Sequence, residues 1–435
     1  MDTPTSEKSI NLDQAILPSL PRPSLPRRTR AERWSEHYQI IALSGTLFLS
    51  GWNDGSLGPL IPKIQEFYHL SYTIVSLLFV FKCTGYILGA IGSMGLTEKY
   101  GFGKLLIVGA AFQIVGNSLQ SAALGLPFPV FVLGNFLTGV GLATQNAQST
   151  AYVASLSSAP EAKMGITQAA YGAGALVSPL VATQFTRLSH GKWSYSYIIT
   201  VGLNLLNAVH CAVVFRGKTQ RECLSSIGQR EQHVPAEGVD EPSYLRQMLS
   251  IKAVHLLALF LFVYVGTEVT IGGWIVSFMI TVRHGGSSSG YISAGFWGGL
   301  MLGRVLLLPL NKLIGEVRAV YVYTATAIGL ELLIYLVPSL LLSSISVALV
   351  GLCLGPMFPI GMNHAARILP PKLLTASIAW VAGISISGAA VLPFVTGAIA
   401  GQRGIGSLEP FVIGMLVLLG LLWTTVPRKR VLVLV

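Results

Sequence analysis

Charge is what this chain has least of. Asp, Glu, Lys and Arg make up 11% of its 435 residues, against about 25% in soluble domains, while hydrophobic residues reach 52% and the mean hydropathy is +0.64. That ratio excludes an ordinary water-soluble fold and points to a bilayer as the solvent. Cysteine is also sparse: Cys83, Cys211, Cys223 and Cys353 stand far apart with no CxxC pair, so neither a disulfide framework nor a thiolate metal site is expected. No Gly-x-x-x-x-Gly-Lys-[Ser/Thr] stretch occurs, which argues against a nucleotide as the energy source. No span gathers the His and acidic residues a catalytic metal needs, and neither a cofactor nor an enzymatic activity is expected. Asn-x-Ser/Thr acceptors are missing, and the first residues lack the apolar core of a cleaved leader.

Against this background the basic excess, a formal net charge of +11, needs placing. Its residues gather in short loops between apolar runs, which fits the positive-inside rule rather than nucleic-acid binding. Runs long enough to cross a bilayer as helix fall near 38–62, 73–95, 104–125, 128–155, 164–187, 195–215, 253–280, 288–310, 319–340, 343–366, 374–400 and 408–427, twelve in all. With both termini cytoplasmic, 22 Lys and Arg fall inside and five fall outside. The expected organisation is a disordered cytoplasmic tail at 1–37, a six-helix bundle at 38–215, a cytoplasmic linker at 216–252, a second six-helix bundle at 253–427 and a short tail at 428–435.

Inside the first run lies Gly51-Trp-Asn53-Asp54-Gly-Ser-Leu-Gly58-Pro-Leu-Ile61-Pro62, which puts a carboxylate and an amide at hydrocarbon depth. The stretch Gly266-Thr-Glu268-Val-Thr-Ile-Gly272-Gly-Trp274-Ile275 answers it, Asp54 by Glu268, Gly58 by Gly272 and Ile61 by Ile275, at a separation of 268 − 54 = 214 residues. The same offset carries Gly85 onto Gly299, Gly89 onto Gly303, Gly101 onto Gly315, Gly141 onto Gly355, Gly174 onto Gly388 and Pro179 onto Pro393. One six-span unit is written twice in parallel, an arrangement that places a solute site near the midplane between the halves.

With these stretches and this repeat the chain resembles the major facilitator superfamily, and its first and seventh spans look like fungal members of the fucose-permease-like branch, which includes sugar:proton symporters. The cytoplasmic loop signature of the family survives in part, as Glu98-Lys99-Tyr100-Gly101-Phe102-Gly103-Lys104. The resemblance implies an all-α membrane protein of twelve transmembrane helices in two bundles, with spans one, four, seven and ten lining a cavity.

Asp54 and Glu268 are the candidate proton-coupling groups, because burial disfavours the charged carboxylate and an approaching solute or cation restores it. The plainer alternative for each is helix packing or charge compensation. Counted from the outer ends of spans one and two, Asp54 and Lys82 lie at similar depth, about 12–14 Å at ~1.5 Å per residue, which predicts a pair and makes Asp54 a switchable lock. Glu268 has Phe296 at the place equivalent to Lys82, so it is expected to lack a basic partner and to be the better carrier. Arg304 is expected near the cytoplasmic end, paired structurally with Glu331. The solute-binding candidates are Asn53, Tyr171 and Trp274, the amides Gln145, Asn146 and Gln148 on span four, and Asn363 on span ten. For the amides the alternative is inter-helix hydrogen bonding, and for the aromatics core packing.

These features predict a multi-pass, monomeric protein, of the plasma membrane rather than the vacuolar membrane, whose partners are a small-molecule solute, protons and the lipid bilayer. The leading expectation is proton-coupled movement of a small polar, sugar-like solute by alternating access. Proton-antiport efflux of a fungal secondary metabolite or drug is the alternative, and a non-transporting receptor or sensor on the same scaffold is the alternative of another class.

Overall fold

A computed structural model describes residues 28–188, 192–229, 241–370 and 373–428. Every long element in it is an α-helix, as expected where the backbone has no water to bond. The first half holds α1 (Arg30–Tyr68), α2 (Tyr72–Tyr100, interrupted at Ser76), α3 (Phe102–Ser121), α4 (Phe128–Ala154), α5 (Pro160–Thr186) and α6 (Ser196–Phe215). The second holds α7 (Lys252–Thr281), α8 (Gly290–Leu306), α9 (Glu316–Leu336), α10 (Leu340–Ile368, interrupted at Gly355), α11 (Leu374–Arg403) and α12 (Leu408–Thr425). Among the described residues, nine of these are long and apolar enough to cross a bilayer, and a tenth span is α8 with its continuation Leu308–Ile314, bent by 53° where Pro309 removes a backbone donor. The remaining two, α1 and α5, have the length but are diluted by polar residues such as Asn53 and Asp54 in α1 and Gln168 and Gln184 in α5. Twelve helices therefore make two bundles of six.

Glycine sets how closely the helices pack. A Cβ on Gly174 would meet Phe48 O of α1 at 2.0 Å, and one on Gly388 would meet Phe262 O of α7 at 2.1 Å. Both members of this contact are carried across by the 214-residue offset, so the α1–α5 and α7–α11 crossings are the same joint built twice. The α2–α4 joint repeats less strictly. Gly139 lies against Lys82 O and Gly351 against Phe296 O, which puts α10 at 351 − 139 = 212 residues from α4 while α8 keeps the full offset from α2. The expected match of Gly141 with Gly355 is accordingly not structural. Gly141 faces Gly109 O of α3, whereas Gly355 faces Leu300 O of α8.

Between the halves, repeat-equivalent residues meet where their symmetry axis must pass. A Cβ on Gly58 would stand 2.2 Å from Gly272 O, so α1 and α7 cross at their paired glycines. Flanking this crossing, Thr73 Oγ1 donates to Gly397 O at 3.5 Å between α2 and α11, and Arg187 donates to Ser288 Oγ at 2.7 Å beside a Gln184–Tyr291 hydrogen bond between α5 and α8. These contacts lie at the end bearing the α1–α2 and α7–α8 connections. The halves are joined there and diverge toward the end that carries the chain termini.

The first helix starts earlier than the polar composition of residues 1–37 suggests. Thr29 and Glu32 form a reciprocal capping box, and Glu36 then takes Arg28 Nη2 at 2.7 Å and Lys163 of α5. The ordered helix thus reaches back to Arg30, and the part of the expected tail at 1–27 lies outside the described residues, as do 230–240 of the linker and 429–435 of the last tail. The linker's first stretch is also fixed: Gln229 Nε2 donates to Glu36 at 3.0 Å, its Oε1 accepts from Ser157 N at 2.7 Å, and Ile227 O accepts from Arg28 Nε at 2.9 Å.

Replacing Gly58 with Ala is predicted to destabilise the protein by about 1–3 kcal/mol, because backbone rather than a flexible side chain opposes the added methyl. Thermal unfolding of the purified protein in detergent measures it. Gly329, whose added Cβ would meet nothing within 4 Å, is the control expected to change little on substitution by Ala.

Candidate functional site

A cavity of about 500 Å³ lies between the bundles at the depth of Asp54 and Glu268. Its wall comes from α1, α2, α4 and α5 of one half and α7, α8, α10 and α11 of the other, while α3, α6, α9 and α12 contribute none of the lining. That volume accommodates a small organic molecule.

The first half supplies a closed ion pair. Lys82 Nζ donates to Asp54 Oδ1 at 2.7 Å and to Asn53 O at 3.3 Å, and Tyr171 OH donates to Asp54 Oδ2 at 2.8 Å. Both carboxylate oxygens are thus engaged, and the depth count that put Asp54 beside Lys82 describes the geometry. Asn146 of α4 donates to Ser50 Oγ at 2.9 Å and to Tyr86 OH at 3.4 Å, leaving its buried Oδ1 without a partner.

The second half supplies an open one. Glu268 and Arg304 both line the cavity, and each is an electrostatic neighbour of the other, yet no carboxylate oxygen approaches Arg304 within ion-pair distance among the described residues. The Tyr264 hydroxyl stands near both and makes no hydrogen bond of normal geometry with either. Arg304 Nε is buried and unpartnered, and the guanidinium lies over the Tyr171 ring at 5.9 Å. Tyr171 therefore touches both clusters, Asp54 through its hydroxyl and Arg304 through its ring.

Two expectations are corrected here. Arg304 does not pair with Glu331, which is buried beside Glu409 of α12, away from the cavity. Nor does Glu268 lack a basic neighbour. It lies 13 residues from the α7–α8 connection at Thr281, and Arg304 lies 14 residues from Gly290 on the other side, so both sit about 20 Å deep at ~1.5 Å per residue. The repeat partner of Lys82 is indeed Phe296, but the cation of the second half is two turns further along the helix.

The remaining candidates divide. Asn146, Asn363 and Tyr171 line the cavity. Gln145 turns to α3, donating to Leu106 O at 2.9 Å and accepting from Gln113 at 2.7 Å, and Gln148 donates to Thr97 Oγ1 of α2 at 2.6 Å. At 100° per residue only one of these three amides can face the cavity squarely, and it is Asn146. Asn53 bonds its own helix at Leu49 O, and Trp274, fully buried, donates to Pro393 O at 3.0 Å and packs on Phe79. Ser50, Tyr86, Gln168 and Trp297 line the cavity as well. Ser50, Tyr86 and Gln168 stand three or four residues from Asp54, Lys82 and Tyr171 respectively, a helical spacing that identifies them once the charged residues are placed.

A twofold-repeated twelve-helix bundle with a central, largely apolar cavity that carries charged side chains on both walls defines a multi-pass membrane transporter. Residues 43–329 match the family model described as Major Facilitator Superfamily, and the chain belongs to that family. It is 26% identical over 412 residues to "Bypass of stop codon protein 6" of Saccharomyces cerevisiae, covering 90% of this chain and 82% of that one. To the glucose/mannose transporter of Bacillus subtilis it is 22% identical over 342 residues, covering 79% and 83%. The crystal structure of a D-xylose-proton symporter superposes with a TM-score of 0.73 at 15% identity, covering 92% of this chain and all of that one.

Removing Lys82 alone is predicted to leave Asp54 with one carboxylate oxygen unmet and to cost about 1.5–3 kcal/mol, whereas removing both charges together costs less than the sum. Thermal unfolding of Lys82→Ala, Asp54→Asn and the double variant gives the coupling. Additive effects would contradict the pairing.

Proposed function

We propose that this protein moves a small polyhydroxylated solute across the plasma membrane by alternating access, coupled to a proton carried by Glu268. The observation that carries the reading is the pairing of a closed ion pair, Asp54–Lys82, with an open one, Glu268 and Arg304, across one cavity at the boundary of two rigid halves. Amides and hydroxyls at Asn146, Tyr86, Gln168 and Asn363 offer the donor and acceptor capacity that hydroxyl groups need, and the relatives named as sugar transporters support the class.

With both termini in the cytoplasm, the cavity faces inward in this conformation. Rocking of the halves about the Gly58–Gly272 crossing breaks the α2–α11 and α5–α8 contacts and opens the opposite face. Glu268 can bias that exchange because its charge state changes what faces Arg304. Ionised, it offsets the guanidinium; protonated, it leaves the cavity with a net positive charge. Direction is then set by the solute and proton gradients.

Proteoliposomes containing the protein, with an imposed proton gradient and labelled D-glucose as the first probe, test the reading. Glu268→Gln is predicted to abolish gradient-driven accumulation, a drop of about tenfold or more, while leaving counterflow between equal pools intact. Accumulation that stays proton-driven in Glu268→Gln and disappears in Asp54→Asn would transfer the coupling role to Asp54.

A further inference from the structure

The two basic groups in the cavity are not equivalent. Lys82 is spent on Asp54 and Asn53 O, but the guanidinium of Arg304 has no carboxylate within ion-pair distance, among the described residues, and its Nε is a buried donor without an acceptor. A buried guanidinium that keeps a free Nε donor at this depth is costly, and its planar fork matches a carboxylate in two parallel hydrogen bonds. The second observation is the route to it. Arg304 and Asn363 line both the central cavity and a further cavity of about 340 Å³ toward the terminal end, whose wall also carries Lys312, Arg367 and Glu316. Arg367 Nη1 lies 2.8 Å from Glu316 Oε2 as an ion pair, so the vestibule keeps a net positive charge from Lys312 even before Arg304 is counted. A positive approach with low-dielectric walls concentrates anions.

We infer that the solute of this cavity is a polyhydroxylated monocarboxylate, of the uronic or aldonic acid type, whose carboxylate is held by Arg304 while its hydroxyls meet Asn146 and Asn363. The inference rests on the proposed polyol site and narrows it. Charge balance supports it. The groups that face Glu268 are Arg304, Tyr264 and Tyr171, with Asp54 farther off and itself neutralised by Lys82. With Glu268 ionised, Asp54, Lys82, Glu268 and Arg304 sum to zero, leaving no charge for an anion. With Glu268 protonated the sum is +1, which one carboxylate meets. Proton and monoanion therefore enter as a neutral load, and Glu268 competes with the solute for Arg304 whenever the proton leaves.

Thermal stabilisation of the purified protein by D-glucuronate and by D-glucose, each across a range of pH, tests this. The expected result is stabilisation by D-glucuronate at concentrations about tenfold or more below those D-glucose requires, strengthening as pH falls through the titration of Glu268. Arg304→Gln is expected to lose the preference for D-glucuronate, and Arg304→Lys, which keeps the charge without the fork, to retain part of it. Stabilisation by D-glucose with none by D-glucuronate overturns the inference and leaves the proposed polyol transport standing. Stabilisation by neither sugar overturns the inference, and absence of D-glucose and D-glucuronate uptake in proteoliposomes then removes the broader reading as well. A D-glucuronate response unchanged in Arg304→Gln also overturns the inference.

Discussion

A low-dielectric interior holds a charge only where an opposite charge, a dipole or water faces it, and the placement of four side chains at the boundary of the two bundles follows from that constraint. Asp54 and Lys82 satisfy it within one half, at 2.7 Å. Glu268 and Arg304 satisfy it incompletely within the other, and the cavity between the halves supplies the rest. The cavity is thus less a gap left by packing than the consequence of putting charges on α1, α2, α7 and α8. Where lipid would meet them, the helices turn apolar faces outward instead.

The same boundary must also come apart if the halves are to move, and glycine shows how it is built. Within each half, α1 against α5 and α7 against α11 approach to backbone contact through Gly174 and Gly388, which makes each bundle stiff. Between the halves the close contacts are spread over several places: Gly58 meets Gly272 O, Gly397 lies against Ser76 and Tyr72, Gly172 against Met301 and Gly273 against Phe79, with side-chain hydrogen bonds beside them. A crossing that lies on the symmetry axis suits a rocking motion of two bodies.

Much of the architecture was legible from the sequence because it depends on periodicities that residues display directly. Twelve apolar runs, the doubled Asp54 and Glu268 stretches and the Gly174–Gly388 match needed no tertiary information. The Asp54–Lys82 pair was legible from depth along two adjacent helices. Arg304 was misplaced because equivalence was sought at the repeat offset, which leads to Phe296, and its depth matches that of Glu268 only when counted from the helix ends of the structure, Thr281 and Gly290. Around α10 the repeat slips by two residues, so Gly141 and Gly355 matched in the sequence without matching in space. For the span-four amides the limit was angular: Gln145, Asn146 and Gln148 are equally polar, and only the position of the neighbouring helices decides that Asn146 faces the cavity while the glutamines bond α3 and α2. The early start of α1 was hidden for another reason, since its anchors, Lys163 and Gln229, come from distant parts of the chain.

The central claim is that one narrow face of each repeat borders a common water-filled chamber. Single cysteines introduced at positions 145 and 146, with Cys83, Cys211, Cys223 and Cys353 replaced, test it through their rates of reaction with a charged, membrane-impermeant thiol reagent. The account predicts that Asn146→Cys reacts and Gln145→Cys, one residue away but turned into the α3 contact, does not. Equal reaction at both positions, or protection of Asn146→Cys alone, would contradict it.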